Sequence, residues 1–319
     1  MKKAQILTGT FLIASIAVFL FILFYPTSTI RIERLDRLAL SHDTVSVLFL
    51  GDALFDRDIR RIAQLQGYEA LWGATTTQKL HSYDAVVLNL EGPITHEEPK
   101  SRGSHVDEPA NTTFTFPPDV VASLNANNIS LVNLGNNHIL DFGKRGLRST
   151  QTALDEGGIS FVVDVMGGTE RISTIVNVKG HPFGVVSYNE FLGGGISRVE
   201  EALHIIKEER PDMSIVYAHW GDEYITEPPQ RIRDAAHRFI DAGADLVVGS
   251  HSHVVSTHET YHGGEIYYSL GNFIFDQYWN REVRCGAALE MVLSDARAPT
   301  YRLLPAGFND GHAVIGECS

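Results

Sequence analysis

The amino-acid sequence predicts an α/β fold built on a sheet that is at least partly parallel. Short apolar runs, each followed at once by polar residues, alternate along the chain with longer segments of helical periodicity. This alternation is typical of βα units, in which helices connect parallel strands. In the last third, strand-like segments at residues 263–276, 285–293 and 299–308 follow one another without a helical pattern between them. We therefore expect antiparallel strands to be added to the same domain.

Five runs of apolar residues predict the first strands, because each run is short and ends at a glycine or a polar residue. They cover residues 44–52, 85–92, 129–138, 213–221 and 244–253. Between them, apolar residues recur at the three- and four-residue spacing of an amphipathic helix. These helical segments cover residues 118–127, 145–156, 199–209 and 230–241. Residues 92–117 are predicted to form one long loop, and loops of that length commonly serve a site.

The N-terminus predicts a membrane anchor. Residues 4–25 are uncharged and largely apolar, which is about the length of a helix that crosses a bilayer. A secretory signal is the alternative, but its apolar region is usually shorter, roughly 7–15 residues. Lys2 and Lys3 precede the segment, so the positive-inside rule places the N-terminus in the cytoplasm. The predicted organisation is a cytoplasmic start and transmembrane helix at 1–26, a spacer at 27–43 and an extracytoplasmic domain at 44–319, anchored in the cell membrane by a single pass.

Charge and cysteine content narrow the classes of partner. The net charge of −13 argues against binding of nucleic acid, and against loose adsorption of an anionic polymer. An anionic ligand would therefore have to bind through local contacts. Cys285 and Cys318 could pair in an oxidising compartment, but two thiols define no disulfide framework and the sequence does not favour the pair.

Candidate ligands for a metal follow the predicted strands. Ligands of open α/β sheets bind beyond the carboxyl ends of the strands, so the residues at these ends matter most. The candidates there are Asp52, Glu91, Asn136 with Asn137 and His138, His219, and His251 with His253. Carboxylates, amides and imidazoles suit Mn, Zn or Fe better than soft metals that prefer thiolate. Six or so donors exceed the four of a structural zinc, which indicates a two-metal centre with Glu91 as its bridge.

Several of these residues also have a purely structural interpretation. Asp52 could cap the next helix, and the glycine and asparagines near Asn136 suit a tight turn. A single histidine at a strand end, such as His219, is often structural. The segment 268–276 could supply only core aromatic residues and a turn, or its Asn272 could close the site.

Two pairs of residues favour chemistry more directly. Asp141 follows His138 by three residues, which is a plausible arrangement for an oriented acid–base group. His251 and His253 would point to the same side of an extended segment and so face one ion or two neighbouring ions. A pH-sensitive surface pair is the alternative for the two histidines.

Six motifs, in this order and spacing, resemble those of the capsule-synthesis (CapA-type, poly-γ-glutamate) proteins, which are similar to calcineurin-like metallophosphoesterases. The motifs are LGD at 50–52, NLEGPIT at 89–95, GNNHILDFG at 135–143, HWGDEY at 219–224, GSHSH at 249–253 and YSLGNFIFD at 268–276. The resemblance runs from about residue 45 to residue 276. It implies a four-layer α/β/β/α sandwich with a metal centre at the strand ends.

The resemblance also implies roles for single residues. The implied metal ligands are Asp52, Glu91, Asn137, His219, His251 and His253. His138 would be the acid–base group, Asp141 would orient it, and Arg57 would bind an anionic oxygen of the substrate. Leu54 departs from the phosphoesterase pattern, which has a histidine ligand there, and Glu91 stands where that superfamily has an aspartate. One of the two metal positions therefore lacks a usual ligand.

These observations predict a membrane-anchored, extracytoplasmic, metal-dependent hydrolase-like protein of capsule or poly-γ-glutamate biosynthesis or processing. Its cofactor would be a divalent metal, two ions of Mn, Zn or Fe. Its expected partners are an anionic envelope polymer such as poly-γ-glutamate and a membrane synthase complex, with no nucleic acid. The alternatives are a non-catalytic assembly or export component of a membrane polymer synthase, and a general extracytoplasmic phosphoesterase.

Overall fold

A computed structural model of the chain describes residues 44–101, 111–167, 171–294 and 297–318. The predicted anchor and spacer lie outside these ranges, and the division into an anchor, a spacer and a domain stays a prediction. None of the helices within the described ranges is long and apolar enough to span a membrane.

The described residues form fourteen strands and eight helices. In chain order these are β1 (Thr44–Ala53), α1 (Arg57–Gln66), α2 (Tyr68–Trp72), α3 (Ala74–Leu80), β2 (Ala85–Leu90), α4 (Val120–Ala126), β3 (Ile129–Asn133), α5 (Gly143–Gly157), β4 (Ser160–Val162), β5 (Ser173–Val178), β6 (His181–Asn189), α6 (Ile196–Glu208), β7 (Met213–His219), α7 (Gln230–Asp241), β8 (Leu246–Ser250), β9 (His258–Tyr261), β10 (Gly264–Tyr267), β11 (Asn272–Ile274), α8 (Arg281–Arg284), β12 (Cys285–Ser294), β13 (Arg297–Asn309) and β14 (His312–Ile315).

The strands form two sheets. The first has the order β14-β13-β12-β1-β2-β3-β4, and β11 also pairs with β1. The second has the order β5-β6-β7-β8-β10-β9. The central neighbours β1–β2–β3–β4 and β6–β7–β8–β10 run parallel, whereas β12–β13–β14, β5–β6 and β9–β10 are antiparallel. The predicted partly parallel α/β sheet is confirmed.

Apolar side chains cover both faces of each sheet. Phe49 and Leu131 of the first sheet share one buried cluster with Phe183 and Tyr217 of the second, so the sheets pack face to face. The outer face of the first sheet packs against α1–α5, and that of the second packs against α6 and α7. A strand that is buried on both faces needs apolar residues at successive positions and not only at every second one. Strands β1 and β2 are of this kind, because nearly all of their residues are buried. The architecture is an α/β sandwich with helices on the outside of two sheets.

The last third of the chain differs in part from its prediction. Antiparallel pairing holds for β12–β13–β14 and for β9–β10, but β10 joins β8 and β11 joins β1 in parallel. A four-residue helix, α8, also separates β11 from β12. The parallel pairings arise because these short segments extend the edges and ends of sheets that are already built from parallel strands.

A disulfide joins Cys285 to Cys318, with their Cα atoms 5.6 Å apart. The sequence did not favour this pair, and that expectation is wrong. Cys285 at the start of β12 lies opposite Gly307 of β13, and Gly307 lies opposite Val314 of β14. The two antiparallel turns therefore return the chain end to the start of β12.

Two glycines allow the end of β1 to approach the segment before β11. A Cβ atom on Gly51 would lie 1.8 Å from the carbonyl oxygen of Gly271, which rules out any side chain there. Gly271 itself has a left-handed φ of +67°. The next residue, Asp52, donates its backbone N–H to the same carbonyl at 3.0 Å. This close contact holds Asp52 at the edge where the candidate ligands gather.

Candidate metal centre

All six predicted ligands meet where the carboxyl ends of the two sheets come together. The first sheet supplies Asp52 from β1, Glu91 directly after β2 and Asn137 in the turn after β3. The second supplies His219, the last residue of β7, and His251 and His253 just beyond β8. Asn137 is half-buried, and the other five side chains are buried. Neither sheet alone contains the site.

The ligand atoms fall into two groups that share Glu91. Glu91, His219 and His251 form one group, and Asp52, Glu91 and His253 form the other, with the ligand atoms of each within 4.8 Å of one another. In the first group, His251 Nδ1 lies 3.1 Å from His219 Nε2. The Asn137 Oδ1 atom lies 2.8 Å from the same His219 Nε2, so its amide joins this group. The arrangement fits a pair of cation positions bridged by one carboxylate.

Glu91 is the strongest evidence that the site fits a cation. Both of its carboxylate oxygens are fully buried and have no hydrogen-bond partner among the described residues. Burial, followed by the negative charge of Asp52, raises the pKa of Glu91 well above its ordinary value. Buried polar groups are nearly always hydrogen-bonded, and a buried carboxyl group without donors either takes up a proton or is balanced by a positive charge. A divalent cation at this position would supply that charge at neutral pH.

The histidines are in the protonation state that a metal ligand needs. Burial, followed by the charge of neighbouring imidazoles, lowers the pKa of His219 well below its ordinary value, and lowers the pKa of His251 to about 3. Both rings are therefore neutral at pH 7 and carry a free lone pair. Both cysteines of the chain are in the disulfide, so no thiolate belongs to the donor set. Imidazole and oxygen donors suit Zn, Mn or Fe.

A layer of buried polar side chains orients the ligands. The Asn89 side-chain amide donates to Asp52 Oδ1 at 2.8 Å, and Asn133 donates to Asn89 Oδ1 at 3.0 Å. Ser250 Oγ lies 2.9 Å from His219 Nδ1, and Asn272 Oδ1 lies 2.8 Å from His253 Nδ1. Such outer contacts set the tautomer and ring angle of ligating histidines.

Sequence reasoning missed three residues of this layer: Asn89, Asn133 and Ser250. A signal was available for Asn89, which is a polar residue inside an otherwise apolar strand, whereas Asn133 is the last residue of a strand that also contains Ser130. Asn272, for which two interpretations were open, lies against His253 and also donates to Gln277 at 2.9 Å. Asn272 therefore lies behind His253, on the side of the imidazole ring that carries Nδ1.

His138 and Asp141 form the oriented pair that their spacing predicts. His138 Nδ1 lies 3.0 Å from Asp141 Oδ2, which also accepts the backbone N–H of Phe114 at 2.7 Å. The ring of Phe114 packs against the imidazole at 4.2 Å between centroids. The other ring nitrogen of His138 lies 4.0 Å from Glu91 Oε1. The geometry places a half-buried imidazole beside the ligand groups, while its role in catalysis stays a prediction.

The backbone of the paired histidines differs from the prediction. Strand β8 ends at Ser250, and His251 and His253 follow in a bend with φ values of +92° and +58°. Both rings face the site, with centroids 6.0 Å apart, but this results from the left-handed backbone and not from an extended segment. Such φ values cost a non-glycine residue about 1–3 kcal/mol and are typical of functional sites.

Two further expectations concern the start of α1. Asp52 does not cap this helix, because Asp56 does so by accepting the N–H of Arg57 at 2.9 Å. Leu54 belongs to the apolar cluster beneath the helices, and its side chain has no atom that can bind a metal. Arg57 is buried in an ion pair with Asp276, so most of its charge is balanced within the protein. Its contact with a substrate stays a prediction.

A sandwich of two sheets with these ligand groups at the strand ends defines a metallophosphoesterase-like class of protein. The chain belongs to the family described as bacterial capsule synthesis protein PGA_cap, whose profile matches residues 46–277. The resemblance inferred from the six motifs is thereby confirmed.

Two relatives and one solved structure illustrate the similarity. The chain is 27% identical over 292 residues to the capsule biosynthesis protein CapA of Bacillus anthracis, across 85% of this chain and 69% of that protein. It is 27% identical over 286 residues to the PGA biosynthesis protein CapA of Bacillus subtilis (strain 168), across 85% and 73%. A hypothetical protein from Thermus thermophilus shares the fold with a TM-score of 0.52 and 19% identity, across 82% of this chain and 99% of that one.

Proposed function

We propose that this chain is a membrane-anchored, extracytoplasmic, metal-dependent hydrolase that acts on a capsule polymer such as poly-γ-glutamate during its synthesis or processing. Two relatives carry capsule or PGA biosynthesis in their names, which supports the polymer class. The apolar segment at residues 4–25 supports the anchor and the extracytoplasmic location. A partner synthase in the membrane belongs to the same proposal.

The observation that carries the proposal is the pair of ligand groups joined at Glu91. In our proposal Asp52, Glu91 and His253 hold one divalent ion, and Glu91, Asn137, His219 and His251 hold a second. Ions bound there would supply Lewis-acid chemistry to a hydrolysis reaction. The group of Asp52, Glu91 and His253 has one donor fewer, because Leu54 stands where related phosphoesterases carry a histidine. We therefore expect that group to bind its ion more weakly.

The protein's own residues provide the proton transfer. Hydrolysis of an ester or amide releases a leaving group that needs a proton, and a positioned histidine supplies one efficiently near neutral pH. Asp141 holds Nδ1 of His138, so the ring keeps one orientation and its Nε2 stays on the side of Glu91. Phe114 covers one face of the ring and restricts its rotation. His138 thus presents its second nitrogen to the reacting group.

The metal content of the full-length chain tests the first part of the proposal. The protein is purified without a metal-binding tag, supplied with Mn, Zn and Fe, and compared with the double variant His251→Ala/His253→Ala. His262→Ala is the matched control, since its exposed imidazole pairs with Asp241 and is not one of the candidate ligands. We expect about two equivalents of metal in the wild type and in the control, and one or fewer in the double variant. Absence of metal from all three proteins would contradict the proposal and favour the non-catalytic assembly role.

Variants of His138 test the hydrolytic part. His138→Ala should retain the metal content of the wild type and lose cleavage of poly-γ-glutamate by about 100-fold or more, in line with the usual contribution of a general acid. Asp141→Asn should keep the metal and reduce cleavage less, because it alters only the orientation of the ring. Unchanged cleavage by His138→Ala at full metal occupancy would show that this residue is not the proton donor.

A further inference from the structure

A groove beside α5 carries two exposed arginines that lie outside the candidate metal centre. Its volume is about 480 Å³. One wall is formed by His96 and Pro118, which belong to the segment between β2 and α4, and the other by the exposed face of α5 with Arg145 and Arg148. The two arginines are three residues apart on one helix, so their Cβ atoms are about 5–6 Å apart. We call this feature the arginine groove.

The fold gives little reason for these arginines. Among the described residues the Arg148 side chain has no hydrogen bond and no ion pair, and Arg145 pairs with Glu97 at a contact where the two side chains are 78% and 43% exposed. Such exposed pairs contribute little to stability. Lys144 and Arg145 also stand in the first turn of α5, where the helix dipole opposes a positive charge and no acidic residue balances it. These positions therefore indicate a role in binding an anion.

The contact with Glu97 shows which anion the groove fits. The Glu97 carboxylate accepts a hydrogen bond from Nη2 of Arg145, so a carboxylate already lies against the guanidinium. Because this pair is exposed, a carboxylate of a ligand can replace that of Glu97. A γ-linked glutamate chain carries one carboxylate per unit, and an extended unit is roughly 6 Å long from standard bond lengths. Two consecutive carboxylates therefore match the spacing of Arg145 and Arg148.

The groove is joined to the metal centre by the segment that follows Glu91. Ile94 donates its N–H to Oγ1 of Thr150 in α5 at 2.7 Å, which holds this segment against the helix. His96 in the wall of the groove is five residues from Glu91, so their Cα atoms are at most about 18 Å apart. About three extended γ-glutamate units span that distance. An oligomer of eight units can therefore occupy the groove and the metal centre at once.

The positive charge of the groove is concentrated at the beginning of α5. Lys144 belongs to its first turn, and Lys100 packs on the aromatic ring that precedes the helix. The described carboxylates nearest to the groove in the chain are Glu97, Glu98, Asp119 and Glu156. Of these, Glu156 lines the opposite end of the groove. The cationic end is the one next to the metal centre, because α5 begins just after the turn that carries His138.

The metal centre continues this positive charge, whereas the loops of the second sheet are acidic. Two divalent ions would outweigh the two carboxylates that bind them. The loops that follow β6 and β7 carry Glu190, Asp222 and Glu223, and Arg231 pairs with the first two at 2.9 Å. A polyanion at the centre is therefore attracted along α5, over the first sheet, and repelled by the loops of the second.

We propose that the arginine groove binds poly-γ-glutamate next to the bond that the metal centre hydrolyses. The inference rests on the proposed function and deepens it, because it names the surface that holds the polymer outside the metal centre. Arg145 and Arg148 pair with two consecutive carboxylates of the polymer, and Glu97 releases Arg145 in exchange. Long chains are then better substrates than short ones, since only a long chain reaches the groove.

Binding to the metal-free protein separates the groove from the metal centre. A γ-glutamate octamer is titrated calorimetrically into the full-length chain in an uncharged detergent, after metal has been removed by a chelator and the chelator by dialysis. The double variant Arg145→Gln/Arg148→Gln should raise the Kd about fivefold, as expected for the loss of two exposed charge pairs. Added salt should weaken binding by the wild type more than binding by the variant. Arg210→Gln is the matched control, because Arg210 is exposed and has no ion pair among the described residues, and it should leave the Kd unchanged.

Chain length provides the second test, with metal bound. A γ-glutamate dimer at the metal centre extends only one unit, roughly 6 Å, from the cleaved bond. The double variant should therefore raise KM for the octamer about fivefold and leave kcat/KM for the dimer at the wild-type value. Its urea midpoint should equal or exceed that of the wild type, because one cation is removed from the first turn of α5.

Three results would overturn the inference. The first is an equal Kd of the octamer for the metal-free wild type and the double variant. The second is an equal loss with the dimer and the octamer, which would place the effect of the arginines at the metal centre or in the fold. The third is undiminished binding of a neutral octamer whose carboxylates are converted to amides. Failure of the proposed function appears separately, as absence of metal or of cleavage, and leaves the titration of the metal-free protein unaffected.

Discussion

Replacing Glu91 by glutamine tests whether this carboxylate serves a cation or the fold. Glutamine has nearly the same shape but no charge. In the metal-free wild type, two buried oxygens lack partners, and a buried unsatisfied polar group costs about 1–3 kcal/mol. The amide of glutamine would also lack partners there, so the variant removes the cost of the buried charge and not that of the unpaired atoms. We expect metal-free Glu91→Gln to be more stable than the metal-free wild type at pH 8, by about 1–3 kcal/mol. With metal supplied, the order should reverse, because only the wild type gains from binding.

The pH dependence of this difference has a definite sign. Burial and Asp52 raise the pKa of Glu91 above the value of 4.5 that applies to an unfolded chain. At pH values between 4.5 and the raised pKa, the folded state binds more protons than the unfolded state. The stability that Glu91 contributes therefore falls as the pH rises. The advantage of the variant should be small at pH 5 and larger at pH 8.

Urea denaturation with and without a chelator measures both effects. Glu290→Gln is the matched control, since Glu290 accepts from Tyr83 at 2.7 Å and from Arg302 at 2.9 Å. It should lose up to about 1 kcal/mol, as expected for a partly exposed ion pair, whether or not metal is present. If Glu91→Gln is instead destabilised equally with and without the chelator, Glu91 is a structural residue and the metal assignment is wrong.

Further predictions concern the backbone, the disulfide and acid stability. Metal-free His251→Gly should be about 1 kcal/mol more stable than His251→Ala, because glycine relieves the φ of +92°; equal urea midpoints would contradict this. Gly51→Ala should lose about 3 kcal/mol and most bound metal, because its Cβ would meet the Gly271 carbonyl; full metal occupancy would be the opposite result. Reduction of the bond between Cys285 and Cys318, which are 33 residues apart, should cost about 3.5 kcal/mol in urea titrations, and an unshifted midpoint would refute that loop-closure argument. Burial lowers the pKa of His251 to about 3, so the metal-free wild type should lose stability as the pH falls from 6.5 toward 3, and should lose more of it than His251→Ala; equal losses would oppose this.

Local sequence patterns were sufficient to predict many of the helices and strands. The helix predicted at residues 230–241 has those bounds in the structure, and the five predicted apolar runs all contain strands. These elements are long or strongly periodic, so their own residues determine them. Helices α1–α3 and strands β4–β6 were not predicted. Strand β4 has three residues, and the pattern of so short an element carries little information.

The candidate ligands could be chosen from the sequence for a similar reason. A carboxylate or an imidazole at the end of an apolar run, such as Glu91 after β2, is costly to bury beside its apolar neighbours. Its presence there therefore indicates a function such as metal binding. The partners that orient these residues were less evident. Asn272 was ambiguous, and Ser250 resembles any small residue at a strand end.

The sequence by itself determined which residues form strands, which donors stand at their ends and which family the chain resembles. Only the tertiary structure decided how they combine. Asp52 and Glu91 come from one sheet and His219 from the other, so their proximity depends on packing between segments more than 100 residues apart. The bend at His251 also depends on that packing, because its backbone N–H donates to Asp52 Oδ2 at 3.1 Å. The disulfide at Cys285 depends instead on the antiparallel pairing of β12, β13 and β14. Periodicity and propensity act over a few residues, whereas the sharing of Glu91 by two ligand groups requires both sheets to be in place.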